Sequence, residues 1–327
     1  MKEESTVNQE RGADLNGDLV AARPIIEAVK SLIKNEGISQ AVIAREAGIS
    51  GAALNQWLAG KYPGDIKALS GKLQKWLNAR SRAKEFGQKI DRFSRWAETP
   101  TAQRIHKVLD YCRVLLHIAV IYGGAGVGKT KALLKYAEKY PNVWVVTMSP
   151  ATASVAAALE EIALGLGLRG LPGRAARLQR EIIRRLRDTK GVLIVDEAQH
   201  LFVSTLEAIR AIHDATEIGL VLCGNESVYS RLTGGSRTAI FAQLYSRVGK
   251  RLHLARSTSA DVEELASAFG ISGDEEVKAL ENIAQKPGAL RGVVNVLRLA
   301  SILAKGEKET MTLRHINLAW KDLAEEN

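Results

Sequence analysis

Residues 123–130 read Gly-Gly-Ala-Gly-Val-Gly-Lys-Thr, a glycine-rich turn ending in an amine and a hydroxyl. Glycines at this density let successive backbone N–H groups curl around one anion, and G-x-x-x-x-G-K-T is the spacing of a Walker A phosphate loop. Lys129 would reach the β and γ oxygens of a nucleotide, and the Thr130 hydroxyl would hold Mg²⁺. A second group, Val192-Leu193-Ile194-Val195-Asp196-Glu197, sets two carboxylates at the end of four apolar residues, as in a Walker B motif. There Asp196 would hold the metal and Glu197 would polarise the attacking water as general base. A third apolar run, 219–224, ends in Asn225, a side chain that could contact the γ-phosphate or the water, or simply cap a helix. The nucleotide-binding set is therefore Gly123, Gly124, Ala125, Gly126, Val127, Gly128, Lys129, Thr130, Lys131 and Asp196, with ATP and Mg²⁺ as cofactors.

These groups need strands that end side by side. The runs 117–122, 142–148, 192–197 and 219–224 read as buried parallel strands, and 101–112, 131–139, 154–164 and 174–187 read as helices. Alternation of this kind predicts an α/β fold whose parallel sheet is flanked by helices, with ligands at the carboxyl edge. The helix over 174–187 carries Arg174, Arg177, Arg180, Arg184, Arg185 and Arg187, spread over too much of its circumference to force a single DNA face.

A net charge of +10 and a pI near 9.6 point to a polyanionic partner, nucleic acid or an acidic membrane surface. No run has the roughly 18 apolar residues of a membrane span, and the start is polar and acidic, unlike a signal peptide. Cys112 and Cys223 stand alone in apolar runs without metal-ligand spacing, which fits a reducing cytoplasm.

Residues 1–20 lack periodicity and read as a flexible arm. A helical stripe starts near Pro24 with Ile25, Ile26, Val29, Leu32 and Ile33, and ends at Gly37. In 39–58 two short helices meet at a tight turn on Gly48, with Ala44 small at their crossing and Ile43, Ile49, Leu54 and Leu58 as core. Ser50 is placed to cap the second helix. This resembles the helix-turn-helix of the phage-repressor class, which implies that Ser50, Gly51, Ala52, Asn55 and Gln56 face DNA; a helical bundle for protein contact is the other reading. A further helix, 65–79, leads into a basic linker. From Lys61 to Arg95 the cations are Lys61, Lys67, Lys72, Lys75, Arg80, Arg82, Lys84, Lys89, Arg92 and Arg95, against Asp65, Glu85 and Asp91. Of these, Lys61, Arg80, Arg82 and Lys84 are taken as phosphate contacts. Phe86, Phe93 and Trp96 read as packing residues, and Pro100 marks the next boundary.

From Thr258 onward the pattern is helical (260–269, 274–284, 288–303 and 313–323). The expected organisation is an arm (1–20), a helix-turn-helix domain (21–80), a linker (81–98), a nucleotide-binding core (99–256) and a small helical lid (257–327).

Residues 123–130, the run 192–197 with Ala198-Gln199-His200, 220–225, and Leu244-Tyr245-Ser246-Arg247-Val248 together resemble AAA+ P-loop ATPases. The resemblance implies that Asn225 is the sensor of strand 4. It also implies that an arginine near 247 enters a neighbouring subunit's site, Arg247 first with Arg231, Arg237 and Arg251 as rivals. Arg291, in Lys286-Pro287-Gly288-Ala289-Leu290-Arg291, falls where that family's lid sensor lies; Gln199 and His200 receive no chemical role. Domain order and size are similar to the Mu B group of transposition ATPases and its Tn7-type relatives. That implies a homo-oligomer, ring or helical filament, that coats double-stranded DNA without strong sequence preference, delivers it to a cognate transposase, stimulates strand transfer and disassembles on hydrolysis. Two other functions share these motifs: a helicase-loading or replication-initiation ATPase, and a helix-turn-helix transcriptional regulator gated by ATP.

Overall fold

A computed structural model describes residues 3–91, 96–170, 174–233 and 247–325. The chain forms two compact units, Met1–Arg92 and Phe93–Asn327.

Among the described residues the first unit is all helical: α1 (Glu3–Glu36), α2 (Gln40–Glu46), α3 (Gly51–Leu58) and α4 (Ile66–Asp91). Its core joins Ala22 and Val29 of α1 to Ile43, Ala44, Leu54, Trp57, Leu58, Leu69, Leu73 and Trp76. The α2–α3 turn is built as its sequence predicts. Gly48 has φ 64°, and Ser50 Oγ accepts the Ala53 N–H at 3.1 Å to cap α3. Two indoles lock the bundle, Trp57 Nε1 donating to Ser70 Oγ at 3.1 Å and Trp76 Nε1 to Glu46 Oε2 at 2.9 Å. Two boundaries differ from expectation. Helix α1 begins at Glu3 and contains Pro24, because Glu, Gln, Arg, Ala and Leu favour helix even where no apolar stripe marks it. Helix α4 likewise continues to Asp91 through residues read as linker.

The second unit holds a five-stranded all-parallel sheet in the order β2-β3-β4-β1-β5, comprising β1 (Ile118–Gly123), β2 (Val143–Thr147), β3 (Val192–Asp196), β4 (Gly219–Gly224) and β5 (Val248–Leu254). One face packs on α5 (Pro100–Leu115) and α6 (Lys129–Lys139), the other on α7 (Val155–Gly165), α8 (Ala175–Leu186) and α9 (Val203–Thr216). Strand β5 and helix α9 were not anticipated. β5 is an edge strand of sequence Val-Gly-Lys-Arg-Leu-His-Leu, half solvated, so it lacks the unbroken apolar run of β1, β3 and β4.

Helix α10 (Glu226–Thr233) follows β4. The chain closes with four helices around their own core, α11 (Ser259–Ala268), α12 (Asp274–Ala284), α13 (Ala289–Gly306) and α14 (Leu313–Glu325). A buried carboxylate ties this lid to the start of α5. Asp261 accepts from Thr101 N and Oγ1 at 2.8 and 2.7 Å and from Thr258 N and Oγ1 at 2.8 and 2.9 Å. Burial pushes its acidity the other way, but these hydrogen bonds outweigh it and hold the carboxyl below its ordinary range.

Candidate nucleotide site

Strand β1 delivers the chain into the phosphate loop at Gly123, and the loop's backbone explains its glycines. Gly123, Gly126 and Gly128 have φ of 142°, 80° and 94°, a region costly for side chains bearing a Cβ. Packing is a second constraint. A Cβ on Gly123 would lie 2.1 Å from the Leu254 carbonyl oxygen, and one on Gly126 would lie 2.1 Å from that of Gly288. The loop is therefore pressed between the end of β5, where Gly124 N donates to Leu254 O at 2.9 Å, and the head of α13, where Arg291 N donates to Gly126 O at 3.3 Å. Lys129 Nζ donates to the carbonyls of Gly123 and Gly124 at 2.9 and 2.7 Å. A phosphate would draw it from those neutral acceptors to charged ones. Lys131 is exposed on the first turn of α6.

Helix α6 and strand β3 meet at the acids. Thr130 Oγ1 donates to Asp196 Oδ2 at 2.6 Å, and Asp196, 1 % exposed, also accepts the Glu197 N–H at 3.0 Å. A hydroxyl and a carboxylate in contact are hard oxygen donors of the kind Mg²⁺ takes, so this pair fits a metal held against phosphates. Glu197 leaves the strand at φ 55°, turning the chain into a short 3-10 segment, Ala198–His200. One carboxylate oxygen of Glu197, Oε2, accepts from Gln199 Nε2, while Gln199 Oε1 accepts the Asn225 N–H at 3.2 Å. Asn225 Oδ1 caps α10 by accepting from Ser227 N and Oγ at 2.9 and 2.7 Å. Any sensing by Asn225 thus falls to its amide donor. Gln199, given no role on sequence, is the polar residue that sequence reasoning missed here; its place two residues after a candidate base was the available signal. The two thiols are buried and free. Burial lifts Cys112 to about 12, and burial followed by the nearby Asp196 charge lifts Cys223 well above its ordinary value, as expected of small apolar fillers.

Comparison with known proteins sets this geometry in a family. Residues 117–232 match the AAA domain, and residues 246–323 match the family described as Mu B transposition protein, C terminal. Over 295 residues the chain is 39 % identical to the ATP-dependent target DNA activator B of Escherichia phage Mu, spanning 90 % of this chain and 93 % of that protein. The chain belongs to the Mu B family of AAA+ ATPases. It is also 39 % identical, over 270 residues covering 82 % of this chain and 93 % of that one, to the Mu-like prophage FluMu DNA transposition protein B of Haemophilus influenzae. The structure of Drosophila ORC bound to DNA shares the fold, with a TM-score of 0.53 and 14 % identity over 73 % of this chain and 66 % of that one.

The remaining candidates of this Mu B-family ATPase divide between two places. Arg291 lies in the first turn of α13, exposed, with its backbone on the phosphate loop. Arg247 precedes β5 where Val248 pairs with Ile118, at the amino end of the sheet, and its Nε lies 3.0 Å from Asp214 Oδ1. It does not join its own chain's site. Arg251 is exposed on β5; Arg231 is on α10, and Arg237 with Leu244, Tyr245 and Ser246 lies outside the described residues.

In the helical unit Ser50, Gly51, Ala52, Asn55 and Gln56 are all exposed on α3 or its cap; Lys61, after α3, and Arg82 and Lys84, on α4, are exposed too. Arg80 is half-buried and partly engaged, its guanidinium 3.3 Å from Glu36, 3.9 Å from Glu46 and 5.8 Å from the Trp76 ring centre. Lys84 is 2.5 Å from Glu36, and these two cations, Lys84 first, hold the Glu36 carboxyl below its ordinary range. Trp96 stacks on His106 at 6.1 Å, as a packing residue should; Phe93 is outside the described residues. On α8, Leu178, Ile182 and Leu186 are buried while Arg177, Arg180, Arg184 and Arg185 are exposed. No described helix is long and apolar enough to cross a membrane.

Proposed function

We propose that this protein is an ATP-dependent target-DNA capture factor: it polymerises on double-stranded DNA with little sequence preference and presents that DNA to a transposase. Kinship along nine-tenths of the chain with a protein named as an ATP-dependent target DNA activator supports the role. The single structural observation that carries it is the Thr130–Asp196 contact beside the glycine loop, which supports reading the site as one for a triphosphate with Mg²⁺.

Bound Mg²⁺·ATP would supply the bond to be broken and much of the charge neutralisation. The chain's own groups do the rest. The loop amides orient the phosphates, Lys129 neutralises the outer ones, and Glu197 takes the proton of the attacking water. Asn225 and Arg291 report the γ-phosphate to β4 and to the lid. Arg247, far from its own loop and exposed, acts on the next subunit's nucleotide, so assembly completes the site. The α3 residues and Lys61, Arg80, Arg82 and Lys84 contact DNA, chiefly through its backbone.

Electron microscopy on unrelated duplexes with a non-hydrolysable ATP analogue should show filaments or stacked rings of similar extent on each sequence. Binding confined to one short palindrome would overturn capture in favour of a regulator.

A further inference from the structure

Between the ends of β3 and β4 lies one side chain whose two polar atoms both bind groups central to hydrolysis. Gln199 donates through Nε2 to Glu197 Oε2 and accepts through Oε1 the N–H of Asn225 at 3.2 Å. The backbone is shaped to admit it. A Cβ on Gly224 would lie 2.2 Å from Gln199 Oε1 and 2.6 Å from Val228 Cγ2, so glycine alone leaves room for the amide. The left-handed turn at Glu197 and the 3-10 segment after it bring Gln199 back toward the acid it follows by two residues. The amide also sits against packed surroundings, with Ala198 and Val228 both buried.

We propose that Gln199 is a positioning residue for hydrolysis: its amide ties the carboxylate of Glu197 to the backbone of Asn225, so that base and sensor are set as one unit. This rests on reading Glu197 as the base. An amide bridge suits the task because one end donates and the other accepts, and an amide stays neutral throughout the cycle. Movement of Asn225 when its side chain meets the γ-phosphate is then carried through Gln199 to the Glu197 carboxylate. The geometry of the base thereby depends on what occupies the far end of the site, and an acid near water but without phosphate is not aimed.

The test uses the full chain on duplex DNA. Gln199→Met keeps the side chain's bulk and removes both hydrogen bonds, while Gln199→Ala also removes bulk. Both should lower kcat for ATP about tenfold with KM and analogue affinity within about twofold, the signature of an interaction needed for reaction and not for binding. Gly224→Ala displaces the amide without deleting it and should do the same. Gln199→Met and Asn225→Ala combined should be non-additive by more than about threefold. A Gln199→Met variant with wild-type kcat, beside an inactive Glu197→Gln, overturns the positioning role and leaves the base intact. Wild-type turnover by Glu197→Gln overturns the base and this proposal with it.

Discussion

The phosphate-loop edge of the sheet and the exposed side of α3, the two surfaces we propose for polyanions, are built in opposite ways. At the sheet edge polar groups hold one another: Lys129 on two carbonyls, Thr130 on Asp196, Gln199 between Glu197 and Asn225. Three loop glycines sit in backbone regions few other residues tolerate. On α3 a single side chain, Ser50, is used for the cap, and Asn55 and Gln56 stand in solvent. The first arrangement is over-determined and accepts one ligand chemistry. The second presents only short, uncharged side chains to its ligand, which suits the proposed capture of any duplex.

This contrast can be broken by mutation. The largest effect belongs to Lys129→Ala, which should cut ATP affinity at least about a hundredfold and abolish ATP-dependent assembly on DNA; filaments of normal length in that variant would end the switch reading. Glu197→Gln should lower turnover by about 10² to 10³-fold while analogue binding persists, leaving complexes that fail to dissociate when ATP is added. Fluorescent-nucleotide titration beside phosphate release separates the two.

A smaller change is expected at the lid anchor. Asp261→Asn keeps the shape but replaces a charged acceptor of four hydrogen bonds with a neutral amide, and should cost about 2 kcal/mol by urea unfolding. The pH dependence follows from the sign of the shift. A carboxyl held below its unfolded value contributes stability above about pH 4, and that contribution fades as pH falls through the folded value. The wild type should therefore lose more stability than Asp261→Asn on going from pH 5 to pH 3. Smallest of all, Asn55→Ala with Gln56→Ala should weaken duplex binding only about two- to fivefold and equally across sequences. A loss confined to one sequence would show that α3 reads bases and would erase the contrast with the loop.

How much was legible followed the same division. β3 and β4 are fully buried strands and β1 is buried but for Tyr122, so their apolar runs stood out, and the phosphate loop, with its demands on backbone φ, could hardly be written in other residues. β5 escaped notice because an edge strand with Lys250, Arg251 and His253 facing water has no continuous apolar signature. α9 was readable in principle, since Leu206, Ile209 and Ile212 recur at helical spacing, but its N-cap position is held by Phe202, which offers no side-chain cap. Gln199 was invisible for a different reason. Its partner Asn225 lies 26 residues away, and only the adjacency of β3 and β4 brings them together.

Glu36 gives the cations of the helical unit a thermodynamic consequence. It already pairs with Lys84 and Arg80, so in the DNA contact proposed for them neither would enter as a bare charge. Each phosphate they took up would compete with that carboxylate, and fewer condensed counterions would be released per cation than the sequence count suggests. The slope of log affinity against log salt should thus fall short of the number of lysines and arginines on that surface, and Glu36→Gln should steepen it. A protein that must leave DNA on a signal gains from such a brake, because its hold on the duplex never reaches what its cations alone could supply.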